Sequence, residues 1–157
     1  MTNEMKQEYT LRISRANKTQ LVVILYEMLL EYIEEARFAY GQKDTEGFAL
    51  NVQRAVGCIR ELNFSINYEA GTASNLFSLF VFCNKELSKA VLHNTAEELY
   101  HVERIAKKLL EATRQMAKTD TSEAVMGNTQ SIYAGLTYGK EALIVHLNAA
   151  ENRGYQV

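Results

Sequence analysis

From Leu21 to Leu30, nine of ten residues are apolar or aromatic, and Glu27 is the exception. At 100° per residue, Leu21, Val22, Leu25, Tyr26, Met28, Leu29, Tyr32, Ile33, Ala36, Ala39 and Tyr40 share one broad face, the arc a core helix buries. Val23, Ile24, Leu30 and Phe38 project the other way, among Glu27, Glu31, Glu34, Glu35 and Arg37. Leaving such side chains in water costs about 25 cal/mol per Å² of apolar area. The pattern predicts a helix over 18–40 that carries more apolar surface than one bundle core absorbs.

Three further segments repeat the helical period. Asn17 with Gln20 makes a capping-box signal at the start of the first helix, and Gly41 supplies its stop. Asp44 caps a second helix over 45–68, where Phe48, Val52, Ala55, Ile59, Leu62 and Ile66 alternate steps of four and three, a coiled-coil-like seam. Gly71 ends it. Thr72 or Ser74 opens a third helix to about position 92, with Ala73, Leu76, Phe77, Phe80, Cys83, Leu87 and Val91 inward. Thr95 and Glu98 repeat the capping box before a fourth helix over 96–117, whose Leu99, Val102, Ile105, Ala106, Leu109, Leu110, Thr113 and Met116 lie on one side.

Turns of a few residues between helices of this length force antiparallel neighbours. The expected fold is therefore all-α, an antiparallel up-down-up-down four-helix bundle over 18–118. Residues 1–17 stand before it as an amino-terminal strap, and 119–157 follow as a carboxy-terminal extension, a flexible polar linker and then a short helix. In that extension Tyr133, Leu136, Tyr138, Leu143, Ile144 and Leu147 are the apolar anchors, and residues 132–150 are candidates to occupy a groove on the bundle. Strands find no support, because apolar residues recur at three and four instead of alternating.

Apolar residues also lie off the seams of the second and third helices. Leu50, Phe64 and Tyr68 project nearly opposite the seam of the second, with Gly57 between them; Leu79 and Phe82 are the outliers of the third. A glycine inside a helix costs about 1 kcal/mol relative to alanine, which close approach of another helix would offset. The fourth helix has no such surplus. Apolar flanks on consecutive helices suit an amphipathic guest that lays residues spaced three and four apart into a groove.

Composition narrows the partner class. The 157 residues contain no proline, in keeping with long helices and short turns, and two cysteines, Cys58 and Cys83, at no metal-binding or redox spacing. With formal net charge −2, nucleic acid is not the expected partner, because phosphate binding needs a concentrated basic face. Arg104, Lys107 and Lys108 are interleaved with Glu103 and Glu111, the pattern of a solvated helix face. No segment reads as a secretory signal or membrane span, and with two unpaired cysteines a reducing cytoplasm is the expected home.

Ordered along about 110 residues, several segments resemble the flagellar secretion chaperone family FliS. Leu21 to Ile33 (LVVILYEMLLEYI) is similar to the family's L-x-x-M-L-Y-x-G-x-L-x-F-I. Lys43-Asp44 and Asn51 to Leu62 (NVQRAVGCIREL) follow, then Asn75 to Leu79 with Leu87 and Ala90. The resemblance implies a helical bundle that wraps the disordered carboxy-terminal segment of flagellin around its outside and prevents premature polymerisation before export. It extends to the flagellar export apparatus as a further partner and to a loaded monomer. It also implies a strap over part of the groove, where Tyr9 and Ile13 fall near the family's Tyr and Val. Asn17-Lys18 stands where Ser-Pro is usual, and Glu27-Met28 replaces an acidic-Gly pair. The partner-binding residues expected from pattern and resemblance together are Tyr9, Ile13, Val23, Ile24, Leu30, Leu50, Gly57, Phe64, Tyr68, Leu79 and Phe82.

Two alternatives belong to other classes. The surplus faces could meet each other in a self-associating bundle. A di-iron carboxylate enzyme would need Glu-x-x-His on two helices; Glu98 to His101 is one copy and no second occurs. No nucleophile elbow or phosphate loop is present, so no catalytic residue, metal or cofactor is expected.

Overall fold

The capping box at Asn17 forms as its residues dictate. Asn17 accepts from the Gln20 backbone N–H at 2.9 Å, and the Gln20 side chain accepts from the Asn17 N–H at 2.9 Å. In the computed structural model, which describes residues 1–125, this box opens the longest of five helices. They are α1 (Asn3–Arg15), α2 (Lys18–Gly41), α3 (Thr45–Phe64), α4 (Ala73–His93) and α5 (Glu97–Thr119). No strand occurs among the described residues.

The α2–α3 turn is tight because Lys43 takes a left-handed conformation, φ 59°, and Asp44 caps α3 by accepting from the Gly47 N–H at 2.9 Å. Asn94, φ 49°, ends α4 in the same conformation, one that asparagine tolerates better than most residues. At the start of α5, Thr95 and Glu98 bond each other through their side chains, while Ala96 occupies the cap position. The expected box forms only in part.

α2 packs on α3 and α5, and α4 packs on the same two, so the four pairings close a ring; α1 lies on α2. The core runs through Leu29, Ile33, Phe48, Ile59, Leu62, Leu87, Leu99 and Val102, all fully buried. Cys58 and Cys83 are buried in it, and burial pushes their thiols up to about 12 and about 11.

Several expectations need correction. The amino-terminal segment is a helix, capped by Thr2, which the polar run from Met1 to Glu8 did not announce. α3 ends at Phe64, not 68, and Ile66 packs against the core from the following turn. Val23 and Ile24, assigned to an outer face, are buried. α2 touches three other helices, α1, α3 and α5, so its buried arc is wider than a two-neighbour helix needs. Tyr40, Phe77, Val91 and Met116, inward by periodicity, are exposed.

Past α5 the chain is held at its first residues. Asn17 Nδ2 donates to the carbonyls of Asp120 and Ser122, both at 3.3 Å; Thr19 bonds the Asp120 carboxylate; the Val125 N–H donates to the Ala16 carbonyl at 3.0 Å. Residues 120–125 are thus stitched across the α1–α2 junction. The linker beyond Val125, the short helix and the anchors from Tyr133 to Leu147 lie outside the described residues.

Candidate partner-binding surfaces

The eleven candidate residues separate into two groups. Tyr9, Ile13, Val23 and Ile24 are covered, Ile24 to 3% exposure, where α1 crosses α2. Burial pushes the Tyr9 phenol up to about 12, with the Glu31 and Glu27 carboxylates adding to the effect. The cover is clamped by Glu27, whose carboxylate meets Arg12 of α1 at 2.5 Å and Arg114 of α5 at 2.9 Å. Beside it a groove of about 550 Å³ is floored by Ala16, Val23, Ile24 and Ala117 and rimmed by Arg12, Arg15, Arg114 and Lys118.

The second group faces solvent. On α3, Leu50 and Phe64 are 47% and 75% exposed, and Tyr68 is exposed in the turn after it. Leu50, Gly57 and Phe64 are spaced by seven and so share one face. A methyl group added at Gly57 would meet nothing within 4 Å, which leaves a shallow notch between the two apolar side chains. On α4, Phe82 is 41% exposed and Leu79 is half-buried. Leu30 of α2 is also half-buried; it lines a groove with Phe38, Arg37, Glu103 and Lys107.

The periodic pattern missed Phe77, Val81, Val91 and Leu92, which add to the exposed apolar surface of α4. The buried stripe of that helix runs through Ala73, Phe80, Cys83, Glu86, Leu87 and Ala90. It is rotated toward Cys83 and Glu86, so Phe77 and Val91 fall at its edge. Glu86 is the signal that was absent, since a carboxylate in a sequence gives no hint of inward packing. Here it is buried, accepting from Lys89 Nζ at 2.6 Å and paired with His101 Nδ1 at 2.6 Å. The Lys89 hydrogen bond first, and that of His101 second, hold its carboxyl below the usual 4.5.

That pairing also bears on Glu98 and His101, the one sequence pair with metal-ligand spacing. His101 turns to Glu86, whereas Glu98 is engaged by Thr95 and lies 3.7 Å from His93. Among the described residues no group of three His, Cys, Asp or Glu side chains is placed to hold a metal ion. None of the described helices is long and apolar enough to cross a membrane.

The described residues thus form an all-helical fold that displays apolar side chains along α3 and α4. The family model described as Flagellar protein FliS matches residues 1–120. The chain is 31% identical over 104 residues to the flagellar secretion chaperone FliS of Campylobacter jejuni subsp. jejuni, an alignment covering 65% of this chain and 81% of that protein. This chain belongs to the FliS family.

Proposed function

We propose that the chain is a cytoplasmic flagellar export chaperone that binds the disordered carboxy-terminal segment of flagellin and acts by binding, not catalysis. In this proposal α2 to α5 form an antiparallel up-down-up-down four-helix bundle over 18–118, α1 is the strap, and the guest lies along the outside. The observation that carries it is the display of Leu50, Phe64, Tyr68 and Phe82 in solvent on α3, its following turn and α4, with the Gly57 notch between the first two.

Fully burying one large apolar side chain is worth about 1.5–3 kcal/mol. Several of them can offset the ordering of a segment that folds as it binds, leaving modest affinity per Å² and release for export. Leu30 and Leu79, half-buried, extend the contact. Tyr9, Ile13, Val23 and Ile24 join it when α1 lifts from α2, which requires the Glu27 clamp to open.

Calorimetry and light scattering with a flagellin carboxy-terminal peptide test the proposal. The expected result is a complex of one chain and one peptide, weakened about ten-fold or more by Leu50→Asp or Phe82→Asp with helicity retained. A chain that pairs with itself and ignores the peptide would place the exposed surface in a self-association interface instead.

A further inference from the structure

Along the sequence, Glu103 and Glu111 break up the basic residues of α5; in the fold Glu103 is drawn aside, while Glu111 stays exposed one turn beyond Lys108. Glu103 turns toward α2, where it meets Arg37 at 2.5 Å, and it also takes Lys107 at 2.6 Å. Glu111 accepts from Gln115 at 3.0 Å. His101, Arg104, Ile105 and Lys108, spaced by three, one and three, share a single face. With Phe82 of α4 they line a groove of about 260 Å³ along the α4–α5 seam.

The side chains in this groove are of two kinds. Phe82 and Ile105 supply an apolar floor, and the Phe82 ring lies 6.5 Å from that of His101. Arg104 stands over the Tyr100 ring, with 5.7 Å from its guanidinium carbon to the ring centroid. Among the described residues neither Arg104 nor Lys108 has a carboxylate within 4.0 Å, and Lys85, one turn beyond Phe82 on α4, has none either. The carboxylate nearest His101 in the structure, Glu86, is buried and already shared by His101 and Lys89. The groove therefore presents two cations with no carboxylate in contact, with Glu97 and Glu111 exposed farther along the same stripe of α5, in a protein whose net charge is −2.

We infer that the α4–α5 groove is a second docking site, which takes an acidic amphipathic segment of a partner protein. Its apolar residues sit against Phe82 and Ile105, and carboxylates one turn apart meet Arg104 and Lys108, themselves one turn apart. Charge complementarity selects this occupant. A nucleic acid would need a longer basic track than these few residues provide, and an uncharged apolar guest would leave the two cations unpaired. The inference does not depend on flagellin being the guest of the α3–α4 surface, with which it shares only Phe82.

Two synthetic helical peptides with the same Leu and Phe positions, one with Glu and one with Lys on the polar positions, provide the test. Fluorescence anisotropy on the full chain is expected to give binding of the Glu peptide about ten-fold tighter than the Lys peptide, weakening as salt rises. The double variant Arg104→Glu/Lys108→Glu is expected to abolish or reverse that preference while its circular dichroism stays unchanged, since both side chains are exposed. Phe82→Ser is expected to weaken both peptides. Equal affinity for the two peptides, no detectable binding of the Glu peptide, or a preference untouched by the double variant would each overturn the inference. Tighter binding of a single-stranded RNA oligonucleotide than of the Glu peptide at equal ionic strength would overturn it in favour of a nucleic-acid surface.

Discussion

Two glutamates show how differently a residue reads in sequence and in space. Glu27 interrupts the most apolar run of the chain and looks like a solvent-facing exception, yet it ties α1 and α5 to α2 through Arg12 and Arg114. Neither partner lies near it in sequence, so periodicity alone had no means of linking them. Glu86 sits in the buried stripe of α4 with Lys89 on its own helix and His101 on α5. Because these partners hold its folded pKa below 4.5, the native state binds fewer protons at this site than the unfolded chain does. The stabilisation is complete above the unfolded value of 4.5 and is lost as pH falls through the lower folded value. Glu86→Gln is accordingly expected to melt below the wild type at pH 7, with the gap closing as the solution is acidified below pH 4.5. Thermal melts across that window check it, and a gap independent of pH would refute the assignment.

At the scale of elements, helices are legible where caps and periodicity coincide. The α2 box at Asn17, the α3 cap at Asp44 and the seam from Phe48 to Leu62 all form as their residues predict. Faces are less legible, because the buried width of a helix depends on how many neighbours it meets, and that number is a property of the fold. α2 meets three and hides Val23 and Ile24; α4 meets two and leaves Phe77 and Val91 outside. α3 carries the clearest conflict between stability and binding. Gly57 lies in its interior with open space beyond it, so Gly57→Ala is expected to raise stability by about 0.5–1 kcal/mol through helix propensity. The same methyl group fills the notch between Leu50 and Phe64 and is expected to lower affinity for the flagellin peptide. Denaturant unfolding read beside calorimetry separates the two effects; a more stable variant with unchanged affinity would remove Gly57 from the binding surface.

For the whole molecule, the sequence pattern divides the chain at 119, but the fold draws the first residues beyond α5 back onto its own start. Asn17 is 4% exposed and serves twice, capping α2 and donating to two carbonyls more than a hundred residues away. Sequence reading sees only the cap, since a hydrogen bond to a backbone carbonyl carries no side-chain signature. Residues 120–125 therefore belong mechanically to the α1–α2 junction, and the place of a truncation decides its effect. A chain ending at Thr119 strands a buried amide and is expected to melt about 2–5 °C below one ending at Val125. Hydrogen exchange at Tyr9 and Ile13 should rise in the shorter chain alone, because α1 loses the Val125 contact to Ala16 at its carboxy-terminal end. The chain ending at Val125, set beside the full chain, tests whether residues 132–150 compete for a groove on the bundle. Competition requires that the chain ending at Val125 bind the flagellin peptide more tightly than the full chain, and equal or weaker binding would rule it out.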